Sequence, residues 1–299
     1  MSANAARLAE AQECERKAAE CLKTSMIKLK FKPDFDGAAT ALERASVCYR
    51  NAGDIQKATK SLIDSAHNYE QNGNMFHAAK AREGAAMLLR EAGDFAAAFP
   101  LFKQAIEGYS VCGSMDTAAM TVEKAAKVIS KDEPEKAIEL YWQGLELVQQ
   151  DDRTKLAGEF LSQITRLNLV MGKYPEASKS IQNEITKYTD VNEHLRVGQL
   201  AIGLVLVHLA LEDAVAAEKW YGWVVGKCPN FEATDDARAC RQLILSYSSG
   251  DNGVFQDTLK SGTLRSMDNE FLRLQKKLKV VEISSGPGGD VNEDEDDLR

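Results

Sequence analysis

A glycine that returns every twenty residues is the feature that most restricts the fold of this chain. The four members of the series are Gly53, Gly73, Gly93 and Gly113. Each is followed directly by a residue type that caps helix N-termini, and these residues are Asp54, Asn74, Asp94 and Ser114. A glycine accepts the left-handed conformation that ends one helix, and the next side chain accepts hydrogen bonds from the first amides of another. The pattern predicts helices joined by very short turns, so that consecutive helices run antiparallel.

A series of small residues extends this repeat over most of the chain. Alanine stands five residues after each glycine, and the series continues on both sides with one deletion and one valine. Its members are Ala38, Ala58, Ala78, Ala98, Ala118, Ala137, Ala157, Ala177, Val197, Ala217 and Ala237. In the first half, a second small residue lies seven positions on and a larger one lies eleven positions on, which places all three on one helical face. Small residues on such a face allow neighbouring helices to approach closely.

These two series predict an all-α fold, a tetratricopeptide-like solenoid of antiparallel helical hairpins arranged as a twisted sheet of helices. Two units form a hairpin of about forty residues, longer than the 34-residue tetratricopeptide repeat. A single hairpin cannot bury its apolar face, and the stacking of neighbours buries it. The predicted divisions are an N-terminal helix over 1–22, an apolar and basic loop over 23–36, the solenoid over 37–240, a C-terminal helical cap over 241–283, and a flexible linker with an acidic tail over 284–299.

Composition and motifs favour a protein-binding scaffold over an enzyme. The net charge is −8, but residues 290–299 hold six acidic side chains and one arginine, which leaves only −3 for the rest, so binding to nucleic acid is not expected. Phosphate-binding glycine motifs are absent, the four histidines are interpreted as structural, and the six cysteines lack metal-ligand spacing. Free thiols and the lack of a secretory signal predict a cytoplasmic protein. We expect no catalytic residues, no cofactor, no metal and no small-molecule substrate.

The loop over 23–36 combines apolar and basic side chains. Its apolar members are Met26, Ile27, Leu29 and Phe31, and the interleaved basic residues are Lys28, Lys30 and Lys32. Such a segment can dip into an anionic membrane surface. Alternatively, its apolar residues pack back onto the first hairpin, and the residues alone leave both interpretations open.

Taken together, the repeat, this loop, the helical cap and the final Asp-Leu-Arg resemble the soluble NSF attachment proteins (SNAPs) over essentially the whole chain. The segments LKT at 22–24, KFKPDFD at 30–36, MDTAAM at 115–120 and DEPEKA at 132–137 look most like the gamma form, whereas DDLR at 296–299 looks like the alpha and beta endings. The resemblance implies an adaptor of vesicular transport, including ER–Golgi traffic. Its implied partners are assembled SNARE complexes, the NSF ATPase that disassembles them, and the membrane surface as a peripheral contact.

The resemblance also implies roles for particular residues. Family members contact NSF through acidic residues near the C-terminus and stimulate ATP hydrolysis through a penultimate leucine, places that are held here by Glu295, Asp296, Asp297 and Leu298. The family inserts its first loop into the bilayer, which favours insertion for Met26, Ile27, Leu29 and Phe31, although the double phenylalanine of the relatives is missing. Basic residues of the family bind the SNARE bundle, and the candidates here are Arg50, Lys124, Arg166 and Lys173. An acidic cluster of the alpha form is missing around Ser248 and Ser249.

Other functions remain as alternatives. Another tetratricopeptide-like interaction scaffold, such as a chaperone adaptor that reads peptide C-termini, predicts a period of 34, which the sequence does not have. A regulatory subunit of an enzyme would require a polar pocket in the structure. The acidic tail could also serve only as a solubilising appendage.

Overall fold

A computed structural model describes residues 3–25, 30–149 and 154–280. Within these ranges the chain is helical, with no strand beyond a single bridge between Ser25 and Lys30, so the predicted all-α class is confirmed. None of the helices described is both long and apolar enough to cross a bilayer. The helices are α1 (Ala3–Leu22), α2 (Phe35–Ala52), α3 (Ile55–Gln71), α4 (Met75–Glu91), α5 (Phe95–Val111), α6 (Met115–Ile129), α7 (Pro134–Gln149), α8 (Thr154–Val170), α9 (Tyr174–Asp190), α10 (His194–Ala210), α11 (Ala214–Lys227), α12 (Asp235–Ser249), α13 (Asn252–Leu259), α14 (Gly262–Arg265) and α15 (Asn269–Gln275), with a short 3-10 helix at Phe231–Ala233.

The chain divides into two compact units, residues 1–167 and 168–299. In the first unit, consecutive helices from α1 to α7 pack against each other. In the second unit, the same holds from α9 to α12, and α10 also packs against α12 and α15. Each unit is therefore built from helical hairpins, as predicted. The predicted end of the solenoid at residue 240 falls inside α12, which continues to Ser249.

The glycine series forms the turns between hairpin helices. Gly53, Gly73, Gly93 and Gly113 all adopt the left-handed conformation, with φ between 74° and 85°. The twenty-residue spacing of left-handed turns continues in the second unit, at Gly172, Asn192 and Glu212. Glycine spacing alone missed the last two turns, because residues with side chains occupy the left-handed position there.

The N-cap residues behave as predicted at three of the four turns. The carboxylates of Asp54 and Asp94 and the amide oxygen of Asn74 accept hydrogen bonds from backbone amides three residues on, at 3.0, 3.0 and 3.4 Å. Ser114 makes no such bond, so the predicted cap is wrong at this position. The Ser114 hydroxyl lies 3.6 Å from the thiol of Cys112 instead.

The small-residue series forms the contacts between helices. All eleven members from Ala38 to Ala237 are buried. The second small residue is also fully buried, whereas the larger residue is buried at four of its five positions and half-buried at Leu89. Because these side chains add little bulk, the helix backbones come close together within each unit.

The most apolar segment of the sequence becomes the central helix of the second unit. Every residue from Ala201 to Leu209 in α10 is buried. The helices α9, α11, α12 and α15 all contact α10. A helix that is apolar on all sides is stable only when neighbours cover every side, and this arrangement provides that cover.

Glu212 has a left-handed backbone conformation, with φ of 59°. We therefore predict that the protein is more stable with glycine than with glutamate at this position. A residue with a side chain in the left-handed conformation costs about 1–2 kcal/mol, and the greater freedom of glycine in the unfolded chain offsets part of the gain. We therefore expect Glu212→Gly to raise the free energy of unfolding by about 0.5–1 kcal/mol, measured by urea denaturation.

The matched control is Gly93→Ala, which introduces a side chain at an equivalent turn. An added Cβ at Gly93 meets no atom within 4 Å, so only backbone strain opposes it. We expect a loss of about 1 kcal/mol there. Equal or lower stability of the Glu212→Gly protein would contradict this account of the turn.

Candidate protein-binding surfaces

Two of the four candidate SNARE-binding cations form ion pairs with α4. The Arg50 guanidinium on α2 lies 3.0 Å from the Glu91 carboxylate, and the Lys124 ammonium on α6 lies 2.6 Å from the Glu83 carboxylate. Each pair joins residues 41 positions apart, about one hairpin period, so α2, α4 and α6 lie in one row. An exposed ion pair of this kind contributes about 0–1 kcal/mol.

The other two candidates, Arg166 and Lys173, lie near the border of the two units. Arg166 on α8 acts electrostatically on the hydroxyl of Tyr141 on α7. Burial is the main reason that the pKa of Tyr141 rises to about 12, Glu123 adds to this shift, and the positive charge of Arg166 opposes it. Lys173 is the N-cap residue of α9. The structure thus places Arg50, Lys124 and Arg166 in the first unit and Lys173 in the second.

A repeated contact between tyrosine and glutamate underlies this row of charges. The Tyr69 hydroxyl donates to the Glu43 carboxylate at 3.3 Å, and the Tyr109 hydroxyl donates to the Glu83 carboxylate at 3.0 Å. Both contacts join residues 26 positions apart in consecutive helices. Burial and the negative charge of Glu83 raise the pKa of Tyr109, so the phenol stays protonated and donates. These glutamates are not among the site residues predicted from the sequence, although their forty-residue spacing, which matches that of the two tyrosines, is a usable signal.

Glu83 is consequently a shared acceptor of Tyr109 and Lys124, and its removal should destabilise the first unit. We expect Glu83→Ala to lower the free energy of unfolding by about 1–3 kcal/mol, because the buried Tyr109 hydroxyl loses its acceptor. Chemical denaturation measures the change. The control is Glu123→Ala, which removes a carboxylate that pairs with Lys127 on the exposed surface of the same helix. That change should stay within about 0.5 kcal/mol. Similar losses for both variants would rule out a special role for Glu83.

The loop after α1 is closed at its base by backbone hydrogen bonds. The amides of Ser25 and Lys30 each donate to the other's carbonyl at 2.9 Å. The Lys30 ammonium donates to the carbonyls of Glu20 and Cys21 at the end of α1. Lys30 therefore caps the C-terminal end of α1. Phe31 is 68% exposed.

Several predicted site residues lie outside the residues that the structure describes. In the loop these are Met26, Ile27 and Leu29, and in the tail they are Glu295, Asp296, Asp297 and Leu298. Their roles stay predictions.

Among the described residues, the histidines and cysteines form no group of three or more metal-ligating side chains. The imidazole of His208 is buried, its Nε2 lies 2.9 Å from the Ser178 hydroxyl, and burial lowers its pKa. Nδ1 of His194 lies 3.2 Å from the sulfur of Cys228, whose pKa burial raises. Both contacts join neighbouring helices inside the second unit.

Stacked antiparallel helical hairpins joined by ion pairs between successive hairpins define a class of protein, the helical-repeat scaffold. Comparison with known proteins narrows this class. The family model described as "Soluble NSF attachment protein, SNAP" matches residues 9–261. The chain belongs to this family, whose members are adaptors of vesicular transport linked to SNARE proteins and NSF.

Individual relatives agree with this assignment. The gamma-soluble NSF attachment protein of Dictyostelium discoideum is 24% identical over 252 residues, which is 84% of this chain and 64% of that protein. The protein of the same name from Arabidopsis thaliana is 23% identical over 57% of this chain and 59% of its own length. This chain thus spans less than two thirds of either relative. The crystal structure of BtubC from P. vanneervenii has a TM-score of 0.38 and 15% identity, covering 85% of this chain and 94% of that one.

Proposed function

We propose that this protein binds assembled SNARE complexes and recruits and stimulates the NSF ATPase, which disassembles them. The match of the family model to residues 9–261 is the observation that carries this proposal. The protein acts in the cytoplasm, in peripheral contact with membranes, and performs no chemistry of its own.

The row of charges on α2, α4 and α6 suits a SNARE bundle as the partner. A bundle of four helices is a rod with acidic stripes, so its recognition depends on charges spread along its length. Arg50 and Lys124 each sit beside a glutamate in an exposed pair, and the carboxylates of the bundle take the place of those glutamates. Such an exchange adds little affinity at any single position and fixes the register of the two surfaces.

The acidic tail suits NSF as the second partner. Asp290 to Leu298 carries six carboxylates and no basic residue, so it is attracted to a basic surface. Leu298 supplies an apolar side chain for a small pocket on that surface.

A disassembly assay with purified SNARE complex and NSF tests this function through Leu298→Ser. Burial of a leucine side chain contributes about 1.5–3 kcal/mol, so the coupling to NSF should weaken about tenfold to a hundredfold. SNARE binding in a pulldown should stay unchanged. The matched control is Val291→Ser in the same tail, which should disassemble complexes at the normal rate. A wild-type protein that captures neither assembled SNARE complex nor NSF would overturn the proposal, and normal disassembly by Leu298→Ser would refute the role of this leucine.

Membrane contact through the first loop is tested by replacing Met26, Ile27, Leu29 and Phe31 with serine. Phe31 is exposed and Lys32 follows it, so an apolar and a basic side chain are both available to an anionic bilayer. We expect the disassembly of SNARE complexes in liposomes to fall by up to about a thousandfold, because each of the four apolar side chains contributes on the order of 1 kcal/mol to membrane binding. Soluble complexes should be disassembled normally.

The control for this experiment is Leu195→Ser, which removes an apolar side chain that is 95% exposed on α10. It should leave both assays unchanged. Equal losses of the loop variant on soluble and liposomal complexes would mean that the loop serves folding.

A further inference from the structure

A basic groove lies in the second unit, between α15 and the segment that joins α8 to α9. Its cavity has a volume of about 340 Å³. Val170, Tyr174 and Leu274 line its apolar part, and Arg273, Lys276 and Lys277 line its charged part. We call this set of six residues the basic groove.

The charges of the basic groove are incompletely balanced. Glu270 also lines the cavity and lies 3.6 Å from the Arg273 guanidinium. Within the described ranges, Lys276 and Lys277 have no carboxylate partner and are exposed. The lining therefore carries a net charge of about +2 at neutral pH. A surface of this kind attracts a segment rich in carboxylates.

The apolar part of the basic groove is also open to a ligand. Val170 is 61% exposed although it lies next to the buried Leu169 and Leu274. An apolar side chain that covers Val170 and Tyr174 would remove apolar surface from water, which stabilises a contact by about 25 cal/mol per Å². The matching ligand is a peptide with one apolar side chain among several carboxylates.

The acidic tail of this chain has that composition. Residues 290–298 contain six carboxylates, no basic residue, and the apolar side chains Val291 and Leu298. We propose that the acidic tail docks in the basic groove of its own chain, with Leu298 against Val170 and the preceding carboxylates beside Lys276 and Lys277.

The tether between groove and tail is short enough to favour this contact. Lys277 lines the groove, and Val280 follows three residues later, at most about 11 Å away along the chain. Residues 281–289 add up to about 30 Å of reach, and three of the last four are glycines. A short tether of this composition gives an effective concentration on the order of 1 mM. A contact with a dissociation constant of about 1 mM is therefore half occupied without any partner.

Docking withholds Leu298 from NSF until a stronger surface competes for the tail. This consequence rests on the proposed function, whereas the docking itself does not. The adaptor would thus expose its ATPase-stimulating residue mainly where NSF or a bound SNARE complex displaces the tail.

Limited proteolysis tests the docking with no ATPase present. The full-length protein is treated with a glutamate-specific protease, and the rate of cleavage after Glu293 and Glu295 is measured. We expect the Lys276→Gln/Lys277→Gln protein to be cleaved about two- to tenfold faster than wild type. In the wild-type protein the tail is docked for half of the time or more, so its release makes the cleavage sites accessible about two to ten times as often. The difference should vanish in 1 M salt, where the screening length is about 3 Å. Val170→Ser should also accelerate cleavage, by removing the apolar contact.

The charge-matched control is Lys60→Gln/Lys80→Gln, which removes two exposed lysines of the first unit and should be cleaved at the wild-type rate. Far-UV circular dichroism and thermal melting establish that each variant is folded. Equal cleavage of wild type and the groove variants would overturn the proposal. Protection that grows with protein concentration would also overturn it, because the tail would then occupy the groove of a second copy.

Discussion

Close contact between helices at the buried small residues is the interaction on which the rest of this structure depends. A buried alanine recurs from Ala38 to Ala237, with a single valine in the series. At Gly144 on α7 even a Cβ would be too large, since it would lie 2.7 Å from the Phe160 ring and 2.8 Å from a Val122 methyl. Because the helix axes come so close, side chains at the edges of the contact are brought within reach of the neighbouring helices.

The charged surface follows from this spacing of the helices. Glu83 on α4 reaches both Tyr109 on the next helix and Lys124 on the one after. The tyrosine contact is buried and contributes to stability, whereas the lysine contact is exposed and can be exchanged. One carboxylate therefore supports the fold on one side, and on the other it pairs with a cation that we propose as a contact for a partner. Under this proposal a partner replaces the surface pair without disturbing the contact that stabilises the array.

The sequence predicted the elements of the fold well where the signal was local. A left-handed glycine followed by a capping side chain involves only residues close together in the chain, and the turns at Gly53 and Gly93 formed as expected. Glycine spacing alone did not mark the turns at Asn192 and Glu212, where a residue with a side chain performs the same task, but the small-residue series extends to both through Val197 and Ala217. The prediction of an N-cap failed at Ser114, where the residue type was right but the hydrogen bond did not form.

The sequence by itself determined the helix order, the turns and the buried face, because each depends on residues within one or two helical turns of each other. Only the tertiary structure decided which charges meet. Arg50 finds Glu91 across 41 residues. Lys30, one of the basic residues of the loop over 23–36, donates to the carbonyls at the end of α1. The basic groove unites Val170 with Lys277, more than a hundred residues apart. The physical reason is that long charged side chains take their partners from the packing of helices, and a repeat pattern fixes which helices are neighbours but not the rotamers that join them.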